Sequence, residues 1–444
     1  LIAVGHTSIR IMLSEEKKEE IKTSGETVLS VESAKVTALC WEQGGTTWSF
    51  HRGDDGWQYD DDAEFPVSDS AMDALLEPFR SLSAAFTIEN AEDLGRYGLD
   101  EPTCTITLTT DDETYTVKLG DHSTMDSQRY MDIGDGNVYL AVSDPLDAYD
   151  VELEDLIAND DVPYFDEVSQ IRFAGSEDYS VIYDENGKSI CADDIYFTAD
   201  GKPLDTSRVN SYISVLRYLE LTDYVTYKVT DEELSAYGLD DPDLSVSVDY
   251  TDDGTSDTFV LHISRDPAEK KSAADAEDEE ASDITAYARV GDSKIIYQIS
   301  GSSYRSLMAA GYNDLRHQEI FSGDFDDVTG IDVTLDGETY TLTAQKDGKE
   351  RTWLCGEAEI EIGDLQDALE ALTAEEFTSE KAAGQQEISL TLHLDHEDEP
   401  ELTIALYRCD GSKCLAVVDG KSVAYVPRGE MVTLAEAVRA IALN

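Results

Sequence analysis

Two pairs of neighbouring carboxylates are the residues of this sequence best suited to chemistry. Asp100 and Glu101 precede Pro102, and Asp240 and Asp241 precede a proline in the same way. Adjacent carboxylates can hold a cation or divide the roles of acid and base. Acidic residues before a proline are also common in turns, where their side chains bond to nearby backbone amides. We favour the turn interpretation for both pairs.

The histidines offer one candidate metal site, because His393 lies on a predicted strand close to Asp395 and His396. A closed zinc site needs four ligands, and the sequence has no zincin-type histidine pair at helical spacing. The Asp/Gly/Asn-rich stretches 132–137 and 184–187 lack the ligand pattern of an EF-hand, so we predict hairpin turns there. We assign no metal-binding or cofactor-binding residue and expect no cofactor.

Six cysteines are too few and too scattered to form a disulfide framework in a chain of this length. Cys409 and Cys414 flank a turn-like stretch between two apolar runs, so their side chains could face each other across a hairpin. A bond between them would stabilise the fold by about 2 kcal/mol. Two free thiols are the alternative, and the sequence leaves both open.

Catalytic fingerprints are absent from the sequence: it has no Gly-x-Ser-x-Gly elbow, no P-loop and no dinucleotide-binding glycine pattern. A triad can still be assembled in space from distant residues. The cluster of Trp41, Trp48 and Trp57 is the best support for a ligand-binding surface, although the same rings suit packing of a first sheet. We assign no catalytic residue and expect a protein that is not an enzyme.

Charge limits the partners. The 444 residues include 32 basic and 96 acidic ones, which gives a formal net charge of -64. Nucleic acid and anionic lipid are poor partners, because both would be repelled at almost every approach. With 41% hydrophobic residues, the chain nevertheless has enough apolar surface to fold.

An internal repeat organises the chain. Residues 93–102 recur at 233–242, and the offset of 140 follows from 237 minus 97 for the two tyrosines. Six of the ten positions are identical. Residues 130–139 are echoed at 287–297 and more faintly at 415–425. Such self-similarity predicts tandem copies of one folding unit.

Each copy is predicted to begin with strands and turns, followed by an amphipathic helix. Ser68 should cap the first of these helices. The apolar stripes are Met72, Leu75, Leu76, Phe79 and Leu82 in the first copy, Val209, Tyr212, Ile213, Leu216 and Leu219 in the second, and Leu365, Leu369 and Leu372 in the third.

A second short helix should precede the repeated element. We expect Asn90 to cap it in the first copy and Thr230, with Glu233, in the second. Gly98 and Gly238 should take the left-handed conformation of a Schellman ending. Leu99 would then pack on Leu94, and Leu239 on Leu234, as that motif requires.

The fold class that follows is α+β, with tandem modules of mainly antiparallel sheet and helices packed on one face. We predict an N-terminal spacer at 1–30, module 1 at 31–160, module 2 at 161–320 and a degenerate module 3 at 321–444. A disordered acidic insertion at about 265–283 explains the greater length of module 2.

The Tyr-Gly-Leu-Asp-x-Pro stop, the strand pair after it and the Tyr-x-x-x-Gly-Asp element together resemble DUF4340, a repeated bacterial domain of unknown function. The resemblance covers roughly residues 31–444, strongly in two copies and weakly in the third, where residues 383–386 replace the stop. It implies a membrane-anchored, extracytoplasmic envelope protein, often encoded beside gliding-type ABC transporters. The anchor would be an N-terminal helix that this chain lacks, and the family supplies no catalytic residues.

Three functions stay open. The first is a non-enzymatic interaction or scaffold module of the cell envelope, with an ABC transporter component as its candidate partner. The second is an extracellular binding module for a glycan or peptide. The third is a hydrolase that uses Asp or Glu side chains. We expect the first.

Overall fold

A computed structural model describes residues 25–123, 127–272, 280–347 and 350–442. Most of the predicted spacer and residues 273–279 of the predicted insertion lie outside these ranges. The described residues pack into two compact units. The first unit consists of the described residues up to Asp160 together with the separate segment Tyr224–Val229. The second unit consists of Asp161–Asp223 and the described residues from Thr230 onward.

One sheet and one helix dominate the first unit. Its nine antiparallel strands follow the order β1-β5-β9-β8-β7-β6-β2-β3-β4. The elements are β1 (Glu26–Leu29), β2 (Val36–Gln43), β3 (Thr46–Gly53), β4 (Gly56–Tyr59), helix α1 (Asp69–Arg80), β5 (Leu82–Ile88), β6 (Cys104–Thr110), β7 (Thr114–Ser123), β8 (Gln128–Asp132) and β9 (Val138–Ala141).

The second unit opens with a sheet whose strands within that unit follow the order β12-β11-β10-β14-β15-β16-β17. The elements are β10 (Glu167–Gly175), β11 (Tyr179–Tyr183), β12 (Tyr196–Thr198), α2 (Thr206–Arg217), β13 (Tyr224–Thr226, grouped with the first unit), β14 (Leu244–Asp252), β15 (Thr255–Arg265), α3 (Pro267–Ser272), β16 (Ala286–Val290), β17 (Ile296–Ile299), α4 (Gly301–Met308) and α5 (Tyr312–Leu315). Helix α3 is an ordered part of the stretch 265–283 that we predicted to be disordered.

A further sheet in the second unit follows the order β21-β20-β19-β18-β23-β24-β25-β26-β22. The elements are β18 (Val328–Leu335), β19 (Glu338–Asp347), β20 (Glu350–Cys355), β21 (Ala358–Ile360), α6 (Gly363–Glu370), β22 (Glu376–Phe377), β23 (Gln386–Leu394), β24 (Glu401–Arg408), β25 (Lys413–Val418), β26 (Lys421–Pro427) and α7 (Arg428–Ala442).

The three sheets share one strand arrangement. In each, the first long strand pairs antiparallel with the second strand after the helix: β2 with β6, β10 with β14, and β18 with β23. The strands between this first long strand and the helix extend the sheet to one side, and the hairpins that follow the helix extend it to the other. The predicted α+β class with antiparallel sheets is confirmed. The packing of all helices on one face and the exact module boundaries stay predictions.

Local sequence signals explain the main helices. The Ser68 hydroxyl accepts the Ala71 amide at 3.2 Å and caps α1, as predicted. The apolar stripe of α1 is buried from Met72 to Phe79, whereas Leu82 already belongs to β5. Asp205 caps α2 by accepting the Ser207 and Arg208 amides. The cap therefore satisfies two of the amide donors that the start of a helix leaves unpaired.

The repeated stop has the predicted backbone geometry. Gly98 and Gly238 are left-handed, with φ of 68° and 71°. The Leu99 amide donates to the Leu94 carbonyl at 3.1 Å, and the Leu239 amide donates to the Leu234 carbonyl at 3.0 Å. These are the long hydrogen bonds of a Schellman ending. The turn that they close is a single 3-10 turn in both copies.

Both predicted caps of the short helices are wrong. Asn90 lies in a turn after β5 with φ of 52°, a conformation that asparagine tolerates better than most residues. The 3-10 turn begins later, at Leu94, and no side chain caps it. Thr230 does not cap the second turn, which begins at Leu234 after Glu233 and has no side-chain cap. The Thr230 amide instead donates to the Glu233 carboxylate at 2.9 Å, which is only the returning half of a capping box.

Both Asp-rich stretches are turns, as predicted. Residues 132–137 connect β8 to β9, and the Asp132 carboxylate accepts the Gly134 amide at 2.7 Å. Residues 184–187 form a turn closed by the Gly187 amide and the Asp184 carbonyl at 3.2 Å. An irregular segment, residues 188–195, then leads to β12. No helix within the described ranges has the length and apolar character needed to span a bilayer.

Candidate functional site

The residues that sequence analysis weighed for chemistry do not converge. Asp100, Glu101, Asp240 and Asp241 are all exposed beside their turns. His393 lies on β23 and contacts Asp332 across the sheet, with Nε2 2.8 Å from the carboxylate. These contacts are those of solvated turns and of a cross-strand pair.

The side chain of His396 does not contact the same residues as that of His393. Its Nδ1 accepts the Glu399 amide at 3.1 Å within the loop before β24. Neither histidine belongs to a metal-compatible group among the described residues. The candidate site at His393, Asp395 and His396 is therefore not assembled in this part of the chain.

The cysteine pair and the tryptophans have structural surroundings. Cys409 and Cys414 flank the β24–β25 turn as predicted, and both are free thiols, the first exposed and the second buried. Trp41 and Trp57 are buried in the first unit. Trp41 stacks on Phe50 with ring centroids 5.6 Å apart, which supports the packing interpretation of the cluster.

The side chains that do converge were not singled out from the sequence. Within the described ranges, two overlapping groups place possible metal-ligand atoms within 4.8 Å of one another. One contains Cys191, Asp194 and His317, and the other contains Asp205, His317 and Glu319. All five residues belong to the second unit. We call them the Cys-Asp-His cluster.

Two segments far apart in sequence position this cluster. Cys191 and Asp194 lie in the irregular segment 188–195, where the Asp194 amide donates to the Cys191 carbonyl at 3.2 Å. The Ser189 hydroxyl accepts the Cys191 amide at 3.1 Å and lies 2.6 Å from Asp194 Oδ2, to which it donates. His317 and Glu319 follow α5, on the segment that leads to β18. The fold therefore brings the thiol and the imidazole together across more than a hundred residues of chain.

A buried hydrogen-bonded pair, Asp194 and His317, forms the centre of the cluster. His317 Nε2 lies 2.9 Å from Asp194 Oδ1 and 3.0 Å from Oδ2. The Asp194 side chain is only 1% exposed. A buried carboxylate is costly unless it is paired and hydrogen-bonded, and His317 and Ser189 meet that need.

The surroundings shift three pKa values. Burial disfavours the charged imidazole, but the hydrogen bond and negative charge of Asp194 outweigh it, so the pKa of His317 is raised. Burial raises the pKa of the Cys191 thiol. Burial acts to raise the pKa of Asp205, but hydrogen bonds from Ser207 and Arg208 outweigh it and lower that pKa.

A family model described as "Domain of unknown function (DUF4340)" matches the chain twice, over residues 57–242 and 196–390. The chain belongs to the DUF4340 family. No curated protein and no solved structure is significantly similar to it. The two family matches begin in β4 and at β12, which occupy equivalent places in the first two sheets. Each match therefore runs from the end of one copy's first hairpins into the next copy.

The DUF4340 stop and the Tyr-x-x-x-Gly-Asp element are packing partners. The Tyr97 ring contacts the Tyr130 ring with centroids 4.9 Å apart, and the Tyr237 ring contacts the Tyr287 ring at 5.1 Å. The same two motifs therefore meet in both strong copies. Their joint recurrence in the sequence has a structural cause.

The third sheet has an arginine-lined cavity near residues 385–387, where the first two copies have the stop. The cavity has a volume of about 630 Å³, and Arg408, Arg428 and Arg439 line it together with Glu387 and Asp336. Two arginines lie 3.4 and 3.6 Å from Glu387, and Arg439 lies 3.0 Å from Asp336. The buried Nε of Arg428 has no hydrogen-bond partner among the described residues. An anionic group would supply one.

Proposed function

We propose that this DUF4340 chain is a non-enzymatic, extracytoplasmic protein of the bacterial cell envelope that presents interaction surfaces to a protein partner. The observation that carries the proposal is the repeated strand order of the three sheets. Tandem copies of one unit multiply a surface, which suits a scaffold.

The chemistry of the surface supports a protein partner. The net charge of -64 opposes nucleic acid and anionic lipid and favours a partner with a basic face. Several large aromatic side chains of the described residues are exposed, among them Phe86 at 64% in the first unit and Tyr218 at 74% in the second. Exposed aromatic rings are typical of interface centres.

In this proposal an N-terminal anchor upstream of residue 1 attaches the protein to the membrane, and the partner is a component of an ABC transporter. The test is fractionation of the natural full-length protein in its own host, with protease added outside the membrane. The proposal expects the protein in the envelope fraction and accessible to protease. Recovery in the cytosol would contradict it.

The partner is tested by crosslinking in the same cells. Phe86→Ser and Tyr218→Ser should each reduce crosslinking to the transporter component, while the exposed-to-exposed change Asp112→Asn should leave it unchanged. Equal crosslinking in all variants would show that Phe86 and Tyr218 are not part of the binding surface, and it would leave the proposed envelope location untouched. Hydrolysis of polysaccharides or peptides by the purified protein, abolished by one carboxylate substitution, would overturn the non-enzymatic proposal.

A second candidate function is ligand binding in the arginine-lined cavity of the third copy. The unpartnered Nε of Arg428 favours an acidic glycan or a peptide carboxylate. Calorimetric titration with an oligogalacturonide and with an acidic peptide tests it. Saturable binding to the wild type that is lost in Arg428→Gln, but retained in Arg305→Gln, would favour this candidate.

A further inference from the structure

The Cys-Asp-His cluster lies where residues of the second sheet meet the core of the third sheet, within the second unit. Ile190, one residue before Cys191, packs against the core of the third sheet. Lys188 Nζ lies 2.6 Å from Asp398 in the β23–β24 loop. The segment that carries Cys191 and Asp194 therefore already bridges the two sheets.

His317 lies on a second connection between the same sheets. The neighbouring Gln318 carbonyl accepts the Ala374 amide at 2.7 Å, and the Ile320 amide donates to the Leu372 carbonyl at 2.9 Å. Residues 372 and 374 follow α6, beside the third sheet. A ligand bound by both Cys191 and His317 would therefore link two chain segments, each of which already contacts both sheets.

The donor set selects the kind of ion. Thiolate, imidazole and carboxylate together are ligands of Zn²⁺, while Mg²⁺ and Ca²⁺ prefer oxygen ligands alone. Structural zinc sites usually have four protein ligands, whereas a site with three protein ligands keeps its fourth position for water. A tetrahedral site holds its ligand atoms about 3.3–3.8 Å apart, given metal–ligand lengths of about 2.0–2.3 Å. A small side-chain rotation reaches this spacing from the 4.8 Å limit within which the three atoms lie.

The surrounding hydrogen bonds distinguish ligands from supporting residues. Asp205 Oδ1 accepts the Ser207 amide and hydroxyl and the Arg208 amide, so it is committed to the α2 cap. Ser189 orients Asp194 through its hydroxyl. Glu319 lies 3.9 Å from His317 Nδ1, the nitrogen on the other side of the ring from Asp194. A carboxylate in that position orients a metal-bound histidine.

We propose that Cys191, Asp194 and His317 bind one zinc ion, with water in the fourth position. When zinc binds, the thiol proton of Cys191 passes to solvent, and His317 Nε2 gives up its proton either to solvent, if the ring is charged, or to Nδ1, if the ring is neutral. The ion fixes the 188–195 segment to the 316–320 segment and so locks the second sheet to the third. This inference does not depend on the identity of any envelope partner.

The test uses the purified full chain, stripped with a chelator, dialysed and titrated with Zn²⁺ alone. The expected result is one tightly bound zinc ion per chain. Cys191→Ser and His317→Gln should each weaken binding by more than about tenfold, because even residues that only orient metal ligands change affinity by about 10- to 100-fold. Cys355→Ser and His396→Gln are the matched controls and should bind as the wild type does.

Two further measurements keep the test decisive if a variant folds poorly. Cobalt bound to the wild type should show a thiolate-to-cobalt charge-transfer band that Cys191→Ser lacks. Zinc should also slow hydrogen exchange in residues 188–195 and 316–320 of the wild type. The proposal is overturned if the wild type retains no zinc, if the cobalt form lacks the thiolate band, or if His317→Gln binds zinc as tightly as the wild type.

Discussion

The first two sheets and the third share one strand order, but they differ in the connection that leads into β6, β14 and β23. In the first two, a left-handed glycine ends a 3-10 turn and places a leucine in the core. In the third, residues 378–385 have no helix or strand, and Gly384 is not left-handed. A Cβ there would lie 1.7 Å from the Arg408 carbonyl oxygen, so this glycine permits close backbone approach. The repeated strand order therefore does not require the glycine turn.

What the turn provides in the strong copies is packing. Leu99 is fully buried and Leu239 nearly so. The third sheet instead buries one face of α7, including Met431, Leu434 and Val438. A long C-terminal helix thus supplies core contacts where the turn is missing. The comparison indicates that the most clearly repeated motif of this chain is a structural element.

The largest expected effect is on the leucine that the turn delivers. Leu99→Ala should lower the unfolding free energy of the first unit by about 2–5 kcal/mol, because it removes buried surface and leaves a cavity. Leu239→Ala should do the same in the second unit. Denaturant unfolding of each variant measures the loss, with the exposed change Glu101→Ala as a control expected within about 0.5 kcal/mol of wild type. Equal, small effects of Leu99→Ala and Glu101→Ala would contradict the packing role.

Substitution of the glycines should give a graded series. Gly98→Ala combines left-handed strain with a Cβ 2.8 Å from the Asp121 backbone nitrogen, and we expect a loss of about 2–4 kcal/mol. Gly238→Ala meets the Ser264 hydroxyl, which can rotate, so the loss should be smaller. Gly420→Ala in the third copy has open space around it and should cost only about 1–2 kcal/mol from strain. Thermal unfolding would reveal whether this ranking holds.

The tyrosine pairs should be energetically coupled. A double-mutant cycle of Tyr97→Ala and Tyr130→Ala should give a coupling of about 0.5–1.5 kcal/mol, as expected for an aromatic pair. The cycle of Tyr237→Ala and Tyr287→Ala should give a similar value. Denaturant unfolding of the single and double variants provides the measurement, and additive effects in both cycles would show that the two motifs are independent.

The smallest expected effect concerns a carboxylate that follows β4. Hydrogen bonds from Lys228 and then Tyr227 lower the pKa of Asp62 to about 2. Since the folded pKa lies below the usual value of about 3.9, the pair stabilises the fold above about pH 4 and loses that contribution as the pH falls toward 2. Carboxyl-carbon NMR should show a titration midpoint near 2 that rises in Lys228→Gln. A midpoint near 4 in the wild type would exclude the contact.

Asp200, a carboxylate that follows β12 in the second copy, makes a useful comparison. Its pKa is also lowered, first by a hydrogen bond from Lys202. Lys202→Gln should therefore raise the Asp200 midpoint and leave that of Asp62 unchanged. A response of Asp62 to Lys202→Gln would mean that the two sites do not titrate separately.

Much of the fold could be predicted because its signals are local. The Ser68 cap, the stripe of α1 and the left-handed Gly98 and Gly238 depend on residues within a few positions of each other. Asn90 misled because asparagine favours both helix caps and left-handed turns, and only the observed φ distinguishes them. Helix α7 packs on the core of the third sheet, and no motif of the repeat predicts it.

The Cys-Asp-His cluster could not be predicted, for a physical reason. Cys191 and His317 are brought together by the packing of an irregular segment on the neighbouring sheet, and no periodicity describes that segment. The three-residue spacing of Cys191 and Asp194 was the one available signal. The sequence highlighted Asp100 and Asp240 because they are repeated, and repetition here reflects backbone geometry.

Hydrogen exchange at the turns tests the central claim most directly, because it reports the same hydrogen bond in both strong copies. The account predicts that the Leu99 and Leu239 amides exchange as slowly as the strands beside them, while the exposed residues 379–385 exchange quickly. Fast exchange at both leucines, or protection of 379–385 to the same degree, would contradict the conclusion that a shared packing turn closes the first two copies and is absent from the third.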